Sequence, residues 1–287
     1  MIAKFIYKNY QSDELEYQYN PQVSVPEYPQ LAEVRRQKSQ RAREALKSHL
    51  DVPYGNSPRQ VLDIFPADQP GAKVLLFIHG GYWRGGSKDD NCSFAPLFVK
   101  RGVTVVLVEH DLCPAVTVTD IVRQTRSAIA WTYRNISRYH GNPSQFFVSG
   151  HSAGGHLAAM ALAHDWKSEG LPQDMIKGAV VMSGVMDLDM VMHVNVNEEI
   201  RMTPEIARTN NPLLHPPLSR CPLLVAVGGA EPEGWKQMSK DYFEFCQKHG
   251  LSCEYVEVPG ANHYTMSEHL ANGESPLHRA ILKLMNL

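Results

Sequence analysis

At 287 residues, with 43% hydrophobic and 20% charged side chains, the chain has the composition of a globular protein with a sizeable core, unlike disordered, fibrous or disulfide-scaffold sequences. A formal charge of −2, with Lys and Arg spread along the chain, offers no basic field for a phosphate backbone and argues against a nucleic-acid partner. No run approaches the roughly 18 apolar residues of a membrane span, and the five cysteines, odd in number and without a close CxxC pair, read as free thiols rather than a zinc or redox site.

In chain order, residues 1–16 carry charges and tyrosines in place of an apolar leader, which sets the expectation of a cytoplasmic protein. The sequons at Asn91 and Asn135 are then chance matches. Up to Pro29 the chain is polar and punctuated by prolines, and residues 31–50, rich in Arg, Lys, Glu and Ala, predict an exposed helix. Residues 1–59 thus read as an N-terminal extension of one α/β domain spanning 1–287. Beyond Gln60, β-rich runs at 61–65, 74–78, 104–109, 146–149, 179–182, 223–227 and 254–258 alternate with helical patterns. The clearest of these runs over 118–139, where Val118, Ile121, Val122, Thr125, Ile129, Thr132, Tyr133 and Ile136 make one stripe at helical spacing. Nearly continuous apolar strands separated by helices predict a mostly parallel sheet covered on both faces, with chemistry at the strands' carboxyl ends.

Each of four such ends carries something. After 74–78 comes His79-Gly80-Gly81-Tyr82-Trp83, whose adjacent glycines expose backbone N–H groups. Gly80, Gly81 and Tyr82, with Ala153, are the expected oxyanion hole, and His79 is expected to brace the loop by hydrogen bonds. After 146–149 comes Gly150-His151-Ser152-Ala153-Gly154, a GxSxG in strand-turn-helix context that places Ser152 as nucleophile. His151 and His156 flank it at a spacing that does not share a helix face, so no metal site is expected.

Residues 186–217 break the strand-helix rhythm with four prolines and form a candidate lid. After 223–227 stands Glu231, the preferred acid, with Glu233 and then Asp187 or Asp189 as alternatives. After 254–258 stands His263, selected among thirteen histidines because a base must follow the acid on a loop free to reach the serine. Tyr82, Trp83 and Trp235 are the candidate walls of a substrate pocket. A small-molecule substrate is expected and no cofactor; oligomeric state is left open, a homodimer included.

The His79–Trp83 and Gly150–His156 motifs together with Asn262-His263 resemble those of the kynurenine formamidases (arylformamidases), α/β-hydrolases. The likeness extends to Tyr17-Gln-Tyr-Asn-Pro21, Asp51-Val-Pro-Tyr-Gly55, Leu62-Asp-Ile-Phe65 and residues 197–214, and so covers nearly the whole chain. It implies an α/β-hydrolase fold, a serine nucleophile and hydrolysis of N-formyl-L-kynurenine to L-kynurenine and formate in tryptophan catabolism. A carboxylesterase acting on short acyl or aryl esters is the alternative that the same motifs allow. One departure is Glu231, where the family usually shows aspartate.

Overall fold

A computed structural model describes Tyr7 and residues 10–287. The expectation of a leaderless start rests partly on residues 1–6, 8 and 9, which lie outside the described residues. The strands are β1 (His49–Pro53), β2 (Val61–Phe65), β3 (Ala72–Ile78), β4 (Val103–Val108), β5 (Gly141–His151), β6 (Ile176–Met182), β7 (Leu223–Gly228) and β8 (Cys253–Val258). They form one eight-stranded sheet in the order β1-β2-β4-β3-β5-β6-β7-β8. Pairing is antiparallel from β1 to β2 and from β2 to β4, and parallel from there on.

The fold is that of an α/β-hydrolase, and the alternation within the strands explains its two layers. Val74, Leu76 and Ile78 of β3 point to one core, Leu75 and Phe77 to the other. The N-terminal helices α1 (Ser12–Tyr19), α2 (Pro21–Ser24) and α3 (Tyr28–Ala45) are followed by α4 (Ala95–Val99), α5 (Val118–Asn135) and α6 (Ala153–Leu162). Helix α5 starts at a capping box between Thr117 and Asp120 and buries Ile121, Val122, Ala128 and Ile129. With α6 it covers the first face; α4 covers the second through Phe98, and α3 joins it through Ala42.

The 186–217 stretch is not irregular but holds three short helices, α7 (Leu188–Val191), α8 (Asn197–Ile200) and α9 (Pro204–Asn210), with Met186, Leu188, Met190, Val191, Ile200 and Ala207 buried. The chain finishes with α10 (Glu233–Lys248), α11 (Met266–Leu270) and α12 (Pro276–Leu284). Among the described residues, no helix is long and apolar enough to cross a membrane.

Two expectations for the N-terminal region need correction. The predicted 31–50 helix begins earlier and ends at Ala45, because Pro29 sits in its first turn, where a missing N–H costs nothing. His49 and Leu50 instead open β1, an edge strand, so 1–59 is an extension only in part.

Candidate active site

The Gly150–Gly154 turn joins β5 to α6 and holds Ser152 at φ 58° and ψ −123°. A non-glycine residue there costs on the order of 1–3 kcal/mol and persists only when its surroundings impose it. They do: a side chain on Gly150 would meet the Gly154 carbonyl oxygen at 2.1 Å, and one on Gly154 would meet that of Ile78 at 2.1 Å. The two glycines let the strand end and the helix start touch, and the serine takes up the turn. Ala153 opens α6, so its N–H has no partner within the helix.

The His79–Trp83 loop follows β3, beside β5. A Cβ on Gly80 would lie 2.8 Å from the His151 carbonyl oxygen and 2.8 Å from Ser152 Cβ, so loop and elbow are in direct contact. Gly81, Tyr82 and Trp83 follow one another with φ of 125°, 50° and 55°, and neither Gly81 nor Tyr82 donates its N–H to a backbone carbonyl among the described residues. Such a backbone needs anchors. Arg84 and Gly85 donate their N–H groups to the Gly81 oxygen at 3.1 and 3.0 Å, and the Tyr82 hydroxyl donates to the Tyr19 oxygen at 2.6 Å.

His79 is held at both nitrogens, Nδ1 against the Gly80 oxygen at 2.8 Å and Nε2 against Glu109 Oε1 at 3.0 Å. Glu109 also accepts from Arg59 (2.6 Å), Ser87 Oγ (2.8 Å) and the Lys88 N–H (3.0 Å). Burial alone would raise the pKa of Glu109, but the His79 hydrogen bond and the neighbouring charges outweigh it and hold the carboxyl well below the usual carboxylate range. His79 and Glu109 thus brace the loop. Gly80→Ala is expected to push the loop off the elbow and lower kcat/KM by about 10²- to 10³-fold, the cost of a lost oxyanion donor. Circular dichroism and kinetics on the same preparation check this.

Of the four carboxylates proposed as the acid, Glu231 is the one bonded to His263, Oε2 to Nδ1 at 2.8 Å. Its Oε1 accepts from the Gly228 N–H at 2.8 Å and from the Ser183 hydroxyl. Glu233 instead pairs with Lys236 at 3.0 Å, and Asp187 accepts from the Tyr7 hydroxyl at 2.6 Å; Asp189 lies exposed in α7. Glu231 and His263 are both buried. The imidazole is gripped between His151 (ring centroids 4.7 Å) and Trp235 (4.4 Å). With Nδ1–H committed to Glu231, a neutral ring carries its lone pair on Nε2 and can take a proton.

Ser152 and His263 share a cavity of about 230 Å³ with Tyr28, Arg35, Gly80, Gly81, Tyr82 and Tyr264. Two of the three aromatic side chains expected on its wall are elsewhere. Trp83 is fully buried and meets His156 edge-on at 5.0 Å, anchoring the loop. Trp235 lies behind His263 and donates Nε1–H to the Ser183 oxygen at 2.9 Å, which leaves its ring as packing for the imidazole. The 186–217 stretch contributes none of the lining residues; residues 20–35 contribute several, among them Asn20, Gln22, Tyr28 and Arg35. Tyr28 stacks on Tyr264 at 5.5 Å, tying α3 to the loop that carries His263.

Sequence reasoning missed this N-terminal wall and missed Ser183. Ser183 follows β6 directly, so the rule that selected the other loops would also have found it.

Buried histidines give the fold a pH dependence. Burial pushes His110 down to about 3 and His156 down to about 4. The unfolded chain therefore binds protons more readily than the folded one between those values and the ordinary imidazole pKa of about 6.5. This contribution is fully present above about pH 6.5 and is lost as pH falls toward 4. Thermal melts from pH 7.5 to 4.5 should show a steadily falling Tm, and replacing His156 with Gln should flatten the slope.

The BD-FAE family profile matches residues 62–228, which run from β2 to the end of β7. The chain is 32% identical to a kynurenine formamidase of Salmo salar and 30% identical to one of Danio rerio, in each case over 97% of this chain and 98% of the relative. Among solved structures it is similar to a candidate thioesterase from Silicibacter sp., with a TM-score of 0.82, 25% identity and coverage of 93% of this chain and 98% of that one. The chain is a hydrolase that belongs to the kynurenine formamidase family of α/β-hydrolases.

Proposed function

We propose that this protein hydrolyses the formamide of N-formyl-L-kynurenine to L-kynurenine and formate, with Ser152, His263 and Glu231 as its triad. The observation that carries the reading is the small, capped cavity in which Ser152 and His263 meet tyrosines and an arginine, dimensions suited to an aromatic amino acid rather than to a lipid or polymer. Full-length similarity to relatives named for this activity supports it.

Ser152 Oγ attacks the formyl carbon while His263 Nε2 takes its proton, and Glu231 holds the imidazolium without accepting a proton itself. The N–H groups of Gly81, Tyr82 and Ala153 receive the oxyanion, with Gly80 holding the loop against the elbow; each donor of this kind contributes about 3–4 kcal/mol. As the C–N bond breaks, His263 returns the proton to the aniline nitrogen, and kynurenine leaves. Water then attacks the formyl ester with His263 as base; formate departs and Ser152 regains its proton. A formyl group adds only a hydrogen to the carbonyl, which suits a site where the Gly80 backbone lies against Ser152.

The test compares kcat/KM for N-formyl-L-kynurenine and p-nitrophenyl acetate. The reading requires the formamide to be the better substrate; an ester advantage of several decades would make the protein a carboxylesterase.

A further inference from the structure

The substrate cavity contains one cation that the protein leaves unanswered. Arg35, on α3, lines the cavity with Ser152 and His263. Among the described residues, its guanidinium makes no hydrogen bond and has no carboxylate within 4.0 Å, and its Nε is sealed from solvent without a partner. Arg84, on the same cavity, provides the contrast, since its terminal nitrogens are taken by Glu199 and by Gln22 at 3.1 Å. Asp90 and Tyr264 act on Arg35 only through space, and burial, the larger effect, pulls its pKa down.

Sealing the Nε of a half-buried guanidinium without a partner is costly, and a protein that does so beside a nucleophile has left half of an ion pair to be supplied. The planar fork of arginine matches a carboxylate in two parallel hydrogen bonds. Arg35 also borders an outer cavity of about 580 Å³ in which Arg35, Lys38 and Arg41 face one carboxylate, Glu268, which pairs with Lys38 at 3.5 Å, so cations remain in excess there. His151, which also lines the inner cavity, has its pKa pushed well below the ordinary imidazole value by burial, by His263 and by Arg35 itself, and so adds no competing charge.

We propose that Arg35 binds the carboxylate of the substrate, which makes the N-terminal helix the element that selects acidic aryl amides over neutral ones. The identity of the scissile group rests on the formamidase reading; the carboxylate subsite does not. Arg35 is then a specificity residue, and its contribution falls on substrate binding more than on bond cleavage.

The experiment measures kcat/KM for N-formyl-L-kynurenine and for its neutral carboxamide with wild type, Arg35→Gln, Arg35→Lys and Arg41→Gln. Wild type should prefer the acid by about 10- to 100-fold, mostly through KM, as expected for an ionic hydrogen-bonded contact. Arg35→Gln should bring the two substrates within about threefold of each other, Arg35→Lys should recover part of the preference, and Arg41→Gln, on the same helix, should keep it. A wild type that does not discriminate, or an Arg35→Gln variant that still does, overturns the proposal. Should Arg35→Gln not fold, the reduced preference of Arg35→Lys carries the comparison.

If wild type turns over neither formamide, the formamidase reading fails, and inhibition of p-nitrophenyl acetate hydrolysis decides the subsite alone. Stronger inhibition by L-kynurenine than by L-kynurenine amide, lost in Arg35→Gln, upholds it; equal inhibition by the two overturns it.

Discussion

Ser152→Ala is expected to lower kcat for N-formyl-L-kynurenine by about 10⁵- to 10⁶-fold while leaving substrate affinity within a few-fold of wild type. The change removes one oxygen and nothing that shapes the turn. The backbone at φ 58° is imposed by the contacts of Gly150 and Gly154, which alanine leaves in place. The loop that abuts the elbow at Gly80 also remains, so the residual rate reports the oxyanion site and binding alone. Single-turnover kinetics corrected for spontaneous hydrolysis, with affinity measured separately by calorimetry, check both parts. A loss below tenfold would remove Ser152 from the chemistry.

Glu231→Gln is expected to cost about 10³- to 10⁴-fold in kcat with little change in KM, because it sets the wrong imidazole tautomer. The carboxylate has donors on both oxygens: the Gly228 N–H and the Ser183 hydroxyl on one, His263 Nδ1 on the other. A glutamine has one accepting oxygen to offer. If that oxygen keeps Gly228 and Ser183, the amide donates to Nδ1, the ring proton moves to Nε2, and the base is lost. If the amide flips, its NH₂ faces the fixed Gly228 N–H, a buried mismatch of about 1–3 kcal/mol. The flipped form keeps the catalytic tautomer only at that cost and without a negative charge to hold the imidazolium, so the first arrangement sets the expected loss. A kcat within tenfold of wild type, with the fold verified by circular dichroism, would show that the acid is another residue.

The strands with continuous apolar sequence were legible because burial on both faces leaves a pattern that does not depend on distant contacts. That is why β3, β5 and β7 appeared at the expected places, with the loop, the elbow and Glu231 at their carboxyl ends; edge strand β8, with Glu254 and Glu257 exposed, was read instead from its tyrosine and valines, with His263 after it. β1 was not legible. His49-Leu-Asp-Val-Pro53 is an almost fully exposed edge strand that pairs only with β2, so it carries no apolar alternation, and its proline is tolerated where a central strand would reject it.

Side-chain direction was the other limit. Tyr82, Trp83 and Trp235 share a chemistry suited to an aryl wall, but which of them reaches the cavity depends on three consecutive positive φ values and on the Ser183 carbonyl, neither of which is encoded locally. Arg35 was hidden for a related reason. Its helix is polar along its length, and nothing in its spacing tells that Tyr28 will stack on Tyr264 and bring residues 20–35 over Ser152. The cover of the site therefore comes from the chain's first helices, while 186–217 packs as core, with His156 Nε2 against the Asn210 oxygen at 2.8 Å.

The central claim, a serine-dependent formamidase, is tested most directly by titrating the wild type with a fluorophosphonate while following kynurenine release from N-formyl-L-kynurenine by absorbance. Peptide mapping of the adduct by mass spectrometry completes the measurement. The account predicts one adduct, on Ser152, and a loss of formamidase activity in proportion to labelling. Kynurenine release that persists in fully labelled protein, or no release by unlabelled protein that takes up the probe, would contradict it.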